Sequence, residues 1–122
     1  MVGMHALVAT DTEVTATEVT AVLRMRGWLT VEVHGREAAR RLQIEDYPLI
    51  ITDIFMEDVD GIEIIDLAKT LTPETFVIAI ENSVVGKADF VRIALLIGAD
   101  AALTSSEVES RLFELLPDAE RE

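Results

Sequence analysis

Leu49-Ile50-Ile51-Thr52-Asp53, continuing through Ile54-Phe55-Met56-Glu57-Asp58-Val59-Asp60-Gly61, ends an apolar run on one carboxylate. The run is bounded by Tyr47-Pro48 and by an acidic, Gly-ended turn, so it reads as a strand buried on both faces. Asp53 falls at its C-terminal edge, where ligands and chemistry collect in open α/β sheets. A lone acid there is a candidate nucleophile or metal ligand. A strand-end Asp that caps the following turn satisfies the same pattern. Taken alone, the segment leaves both readings open.

Outward from this strand, short apolar runs alternate with amphipathic stretches, a pattern that predicts βαβ units and a parallel sheet. A strand at His5 to Ala9 precedes a helix from about Glu13, with Val19, Val22 and Leu23 on one face and Gly27 as its stop. Thr30 to Val33 alternates as a second strand, and a helix from about Arg36 carries Ala38, Ala39 and Leu42. Beyond the central run, Gly61 opens a helix with Ile64, Leu67, Ala68 and Leu71 on its buried face, which Thr72-Pro73 ends. Phe76 to Ile80 is a fourth strand, Lys87 to Ile97 a fourth helix stopping at Gly98, and Ala101 to Thr104 a fifth strand. Ser106 and Glu109 have capping-box spacing ahead of a last helix with Val108, Leu112, Leu115 and Leu116 as its apolar stripe. Pro117 ends that helix and leaves the charged tail 118–122. Five such units make a three-layer α/β domain, and right-handed crossovers set the ends of the first and third strands side by side. Thr10 and Asp11 are thereby expected near Asp53.

The 122 residues, half of them hydrophobic, suit one domain over 1–122 with a full core. The absence of cysteine excludes disulfides and thiolate chemistry. No apolar run is long enough to span a bilayer, and Met1-Val2-Gly3-Met4-His5 lacks the features of a signal peptide, so a cytoplasmic location and no membrane contact are expected. A formal charge of -13 argues against nucleic-acid binding, which relies on clustered Lys and Arg. Five of the ten basic residues (Arg24, Arg26, Arg36, Arg40 and Arg41) lie between positions 24 and 41, where ordinary solvated helix faces account for them. His5 and His34 are isolated along the chain and read as structural.

Over nearly its whole length the sequence resembles the receiver domain of two-component response regulators. That family carries an acidic pair after the first strand, a phosphoryl-accepting Asp after the third, a Met-Pro-x-x-Asp-Gly turn, a Thr or Ser after the fourth strand and a Lys-Pro after the fifth. Asp53 with Met56, Asp60 and Gly61 keeps the acceptor and turn spacing, and Gly98-Ala99-Asp100 matches the Gly-Ala-x lead-in to the fifth strand. The resemblance implies a flavodoxin-like (βα)5 fold with a central five-stranded parallel sheet. It also implies a phosphoacceptor at Asp53 and a Mg ion held by Asp11, Asp53 and the Phe55 carbonyl; Glu81, which is not part of the family pattern, is a further carboxylate able to help hold the ion.

Other positions depart from the pattern. The acidic pair falls on Thr10 and Asp11, the turn proline on Glu57, the hydroxyl position on Glu81, the lysine on Ser105 and the aromatic switch position on Ala102. Phosphoryl transfer depends on positioning and on neutralising oxygen charge. Ser105 removes a positive charge and Glu81 adds a negative one. If Asp11, Asp53 and Glu81 converge, their repulsion raises at least one pKa unless a divalent ion relieves it. The other expectation is that Glu81 turns outward to solvent or pairs with Lys87.

The function expected is therefore that of an atypical, degenerate receiver acting through protein contacts, with weak or absent phosphorylation at Asp53. A functional phosphoacceptor served by a histidine kinase is the alternative. A flavodoxin-like hydrolase or nucleotide-binding enzyme lacks support, since no Gly-rich phosphate loop or nucleophile elbow is present. Partners expected are a sensor histidine kinase or another signalling protein. In the fourth helix Phe90, Ile93, Ala94 and Ile97 share one face, while Val91 and Leu95 lie together off it. The family uses the surface of the fourth helix, fifth strand and last helix for dimerisation or output, so Phe90, Val91, Leu95 and Ala102 are the expected interface of a homodimer or partner complex.

Overall fold

Five short strands, β1 (His5–Ala9), β2 (Leu29–Val33), β3 (Leu49–Asp53), β4 (Phe76–Glu81) and β5 (Ala101–Thr104), pair in parallel in the order β2-β1-β3-β4-β5. The structure is a computed structural model and describes residues 4–82 and 89–119. Helices α1 (Glu13–Met25), α2 (Gly35–Leu42), α3 (Gly61–Leu71) and α4 (Asp89–Ile97) join successive strands, and α5 (Val108–Leu115) follows β5 after a 3-10 turn at Ser105–Glu107. This is the three-layer α/β arrangement that the alternating pattern predicts, in the flavodoxin-like form that the resemblance implies.

β3 is the central strand, and every one of its residues is buried, as a strand covered by helices on both faces requires. On one face Leu49 and Ile51 pack with Val19, Leu23, Val108 and Leu112 from α1 and α5. On the other Ile50 packs with Ala38, Ile64, Ile65, Ala68 and Ala94 from α2, α3 and α4. Trp28 closes the first layer at its far end, where its indole N–H donates to the Pro117 carbonyl at 2.8 Å. Ala119 is buried beside it, so the chain stays packed two residues past Pro117.

Registers place the strand ends. Ala9 pairs with Thr52, Asp53 with Ile80 and Glu81 with Thr104, so the segments leaving β1, β3 and β4 emerge along one edge. The order reverses between β1 and β3, which opens the crevice there.

Two local expectations change. The reciprocal bond at the last helix comes from Glu107, whose carboxylate accepts the Thr104 N–H at 2.9 Å. Thr104 with Glu107 has the same spacing as the predicted Ser106 with Glu109, and the 3-10 turn selects the earlier pair. In α4, Ile93 is 39% exposed, because only Phe90, Ala94 and Ile97 turn toward the sheet. The predicted first residues of that helix, 87 and 88, lie outside the described residues. The basic cluster is largely tied up within the chain. Arg40 and Arg41 both reach Glu37 at 3.0 Å, Arg36 lies 3.7 Å from Asp58, and the Arg26 guanidinium stacks 4.3 Å over the Phe113 ring.

Candidate functional site

Asp53 closes β3 at 1% exposure, facing the crevice between β1 and β3. Its Oδ2 accepts a 2.5 Å hydrogen bond from the Thr10 hydroxyl, while Oδ1 has no hydrogen-bond partner among the described residues. Burial pushes the Asp53 carboxyl up to about 6, because the charged form loses its water. The Thr10 hydroxyl and the nearby Asp11 amide pull it down, and the Asp11 charge pushes it up.

Glu81 is buried at 2% exposure rather than turned to solvent, and its Oε2 is without a partner among the described residues. The strand alternation explains its separation from Asp53: Val77, Ala79 and Glu81 line the α3 and α4 side, whereas Leu49, Ile51 and Asp53 line the α1 and α5 side. Burial is the largest cause of the rise at Asp53, and the Asp11 charge adds to it. Lys87, the other partner expected for Glu81, lies outside the described residues.

Asp11 is engaged through both oxygens. Oδ1 lies 2.9 Å from His34 Nδ1, and Oδ2 accepts the Glu57 backbone N–H at 2.7 Å. His34, read from sequence as isolated, sits beside Asp11 because Ala9 pairs with Val33. Asp11, His34, Glu57 and Asp58 together line an open cleft.

The loop between β3 and α3 is held from several sides. Asn82 faces Phe55 as a continuation of the Asp53–Ile80 register. Its Oδ1 accepts the Phe55 N–H and its Nδ2 donates to the Phe55 carbonyl, both at 2.9 Å. Asp60 caps α3 by accepting the Glu63 N–H at 3.1 Å, and Gly61 donates to the Ile54 carbonyl at 2.8 Å. A Cβ on Gly61 would lie 2.0 Å from the Asp53 carbonyl oxygen, and one on Gly35 would lie 2.3 Å from that of Val59. These contacts give the Asp60-Gly61 spacing its physical meaning: the loop folds back so tightly that only glycine fits.

The remaining predicted positions are spread around this edge. Glu57 and Ser105 are exposed, the latter in the 3-10 turn, and Ala102 is half-buried on β5. Among the described residues no Lys or Arg pairs with Asp53; Lys69 instead binds Asp100 at 2.8 Å and the Thr75 carbonyl at 2.6 Å. On α4, Phe90 and Val91 are half-buried, while Leu95 and Leu96 stand 44% and 78% exposed. The Phe90 ring meets the Phe55 ring edge to face at 4.7 Å.

Asn82 and His34 are the contributors that sequence spacing misses. No local signal marks either, since each acts through a register pairing with a distant strand.

Residues 6–116 match the sequence model described as the response regulator receiver domain. The chain belongs to this family. Receiver domains are in general non-enzymatic signalling domains of two-component systems that interact with histidine kinases or other signalling proteins, and they bind Mg at the phosphorylation site. Among solved receivers and response regulators, the chain is similar to a response regulator from Burkholderia pseudomallei with a phosphorylated aspartic acid, calcium ion and citrate. The identity is 26% and the TM-score 0.74, over 95% of this chain and 68% of that one. It is also similar to the beryllofluoride-activated NtrC4 receiver domain dimer, at 27% identity and TM-score 0.72, over 91% of this chain and 97% of that one. A putative response regulator from Chloroflexus aurantiacus shares the fold at 18% identity and TM-score 0.77, over 93% and 98% of the two chains. Comparison with curated proteins gives no match. Among the described residues no helix is long and apolar enough to cross a membrane.

Asp11, Asp53 and the Phe55 carbonyl, the donors for the receiver's customary Mg, are mostly engaged within the chain, with Asp53 Oδ1 left over. Both Asp11 oxygens, Asp53 Oδ2 and the Phe55 carbonyl already accept or share hydrogen bonds. Among the described residues no group of three His, Asp or Glu is arranged to hold a metal ion.

Proposed function

We propose that this chain is an atypical receiver that signals through protein–protein contacts, with weak or absent phosphorylation at Asp53. One observation carries the reading: where the family pattern has a lysine, Ser105 stands exposed in the 3-10 turn, and no described Lys or Arg pairs with Asp53. Transfer to Asp53 would require its carboxylate to attack phosphorus while the donor's bridging oxygen departs, with negative charge spread over the phosphoryl oxygens. Without a cation beside it that charge is left unbalanced. Thr10 supplies one hydrogen bond to the carboxylate and no charge.

The working surface in this reading is α4 with β5 and α5. Half-buried Val91 and Ala102 and exposed Leu95 and Leu96 offer apolar side chains there to a second copy or another signalling protein. The chain then acts as one domain over 1–122, in the cytoplasm, downstream of a sensor kinase or an equivalent partner.

The second reading, a phosphoacceptor receiver with at most self-catalysed transfer to Asp53, is favoured by Asp53 Oδ1, which is free of any hydrogen bond. Incubation with Mg and acetyl phosphate, followed by intact-mass measurement, separates the two. The atypical reading expects no added phosphoryl mass and no beryllofluoride-dependent change in the NMR spectrum. Labelling that disappears in Asp53→Ala would establish the second.

A further inference from the structure

We infer that Asn82 stands in for the divalent ion of this edge, clamping the Phe55 peptide so that the Asp53 loop keeps one conformation without metal. A single side-chain amide serves both polar groups of one residue here: it accepts the Phe55 N–H and donates to the Phe55 carbonyl, each at 2.9 Å. The arrangement copies the exchange of hydrogen bonds between strands, and it extends the Asp53–Ile80 register by two residues beyond the sheet. The Phe55 N–H fixes the orientation of the amide, since a flipped Asn82 would set donor against donor.

The carbonyl so occupied is the one a receiver would turn to its cation. Mg demands oxygen ligands at about 2.0–2.1 Å in near-octahedral array. At the Phe55 oxygen it would have to share the atom with the Asn82 NH2, whose partial positive charge already lies against it. At Asp11 it would compete with the Glu57 N–H, bonded at 2.7 Å, and with the His34 ring at 2.9 Å. Each contact it weakens is one that already holds the edge the ion would otherwise organise. Asn82 and the Glu57 amide therefore perform the ion's structural task, joining the ends of β1, β3 and β4, from within the chain. Asn82 is a positioning residue in this scheme: it acts on Asp53 only through the loop. The inference goes beyond the proposed function, because a loop ordered without metal is compatible with either fate of Asp53.

The test is a Mg titration of the intact chain, without phosphodonor, followed by 15N NMR and by thermal unfolding in Mg or in EDTA. In the unsubstituted protein the amides of Asp11, Phe55 and Glu57 are expected to hold their positions into tens of millimolar Mg, and the Tm to be the same in EDTA. In Asn82→Ala the Phe55 and Glu57 amides are expected to shift with Mg, with apparent affinity tightened at least about fivefold, the worth of one competing hydrogen bond. Asn82→Asp, which keeps an acceptor for the Phe55 N–H and adds an oxygen ligand, is expected to respond to Mg as well and to gain Tm in it. Saturating Mg shifts at Phe55 and Asp11 of the unsubstituted chain at low millimolar concentration would overturn the inference. So would Asn82→Asp remaining as unresponsive as the parent. Phosphoryl labelling of Asp53, the failure of the atypical reading, is a separate measurement and leaves these outcomes untouched.

Discussion

The Thr10 hydroxyl donates to Asp53 Oδ2 at 2.5 Å across the ends of β1 and β3, where the family pattern would set a second carboxylate. A neutral donor in that position lets a buried Asp keep one strong hydrogen bond, but it does not offset the loss of hydration.

Stability near neutrality therefore carries a penalty from Asp53. Its folded pKa is raised to about 6, so between the ordinary value of 3.8 and about 6 the folded state binds more protons than the unfolded state. By linkage this contribution to stability rises as pH falls through about 6 and is lost above it. Asp53→Asn, which removes the ionisation, is expected to raise stability by about 1–3 kcal/mol at pH 8. Denaturant titrations should show the gain shrinking toward pH 4.5; a gain that does not depend on pH would rule out this cause.

Restoring the family's groups should restore its chemistry in a defined order. Ser105→Lys returns a cation, Glu81→Thr removes a buried carboxylate, and Thr10→Asp rebuilds the acidic pair. In the triple variant the rate of acetyl phosphate labelling at Asp53 is expected to rise at least about a hundredfold, the scale of a lost electrostatic stabiliser. Thr10→Asp alone should give no labelling and a less stable protein, since it places a charge against Asp53. Mass spectrometry over time reads both outcomes.

Gly61 is predicted to be irreplaceable for packing reasons. Its added Cβ would meet the Asp53 carbonyl oxygen at 2.0 Å and the Ile54 Cα at 2.8 Å, and backbone atoms cannot swing aside. Gly61→Ala should cost roughly 2–4 kcal/mol by chemical denaturation. A cost below about 0.5 kcal/mol, the range of ordinary surface changes, would contradict the close approach.

Leu95 and Leu96 should separate folding from association. At 44% and 78% exposure, their replacement by Glu is expected to change stability by no more than about 0.5 kcal/mol. If α4 carries the contact surface, the same substitutions abolish self-association or partner capture in sedimentation measurements. Unchanged sedimentation in a chain that does associate would move the contact elsewhere.

Much of this was readable along the chain. The β3 run and the Asp53 to Gly61 interval could be read because one is a periodicity and the other a steric requirement, both local. Sheet order followed from crossover handedness. His34 beside Asp11 and Asn82 beside the Phe55 peptide were not readable, because residues 23 and 27 apart along the chain meet only once register is set. The same holds for Lys69, whose ammonium joins Asp100 to the carbonyls of Pro73 and Thr75 and so ties the end of α3 to the starts of β4 and β5. Glu81 misled for another reason. Its length suggested reach toward solvent, whereas strand alternation turned it inward on the face away from Asp53. The capping pair slipped by two residues because Thr104 with Glu107 and Ser106 with Glu109 obey one spacing rule, which only the backbone resolves.

Phe55 has two attachments: its peptide is gripped by Asn82, and its ring rests edge-on against Phe90 at the start of α4. One residue thus spans the acidic edge and the helix that exposes Leu95 and Leu96. Where a ligand of α4 moves Phe90 and weakens the Asn82 grip by some factor, release of the grip changes that ligand's affinity by the same factor, since such coupling is reciprocal. The contact thus offers a route between the two regions that needs no phosphoryl group.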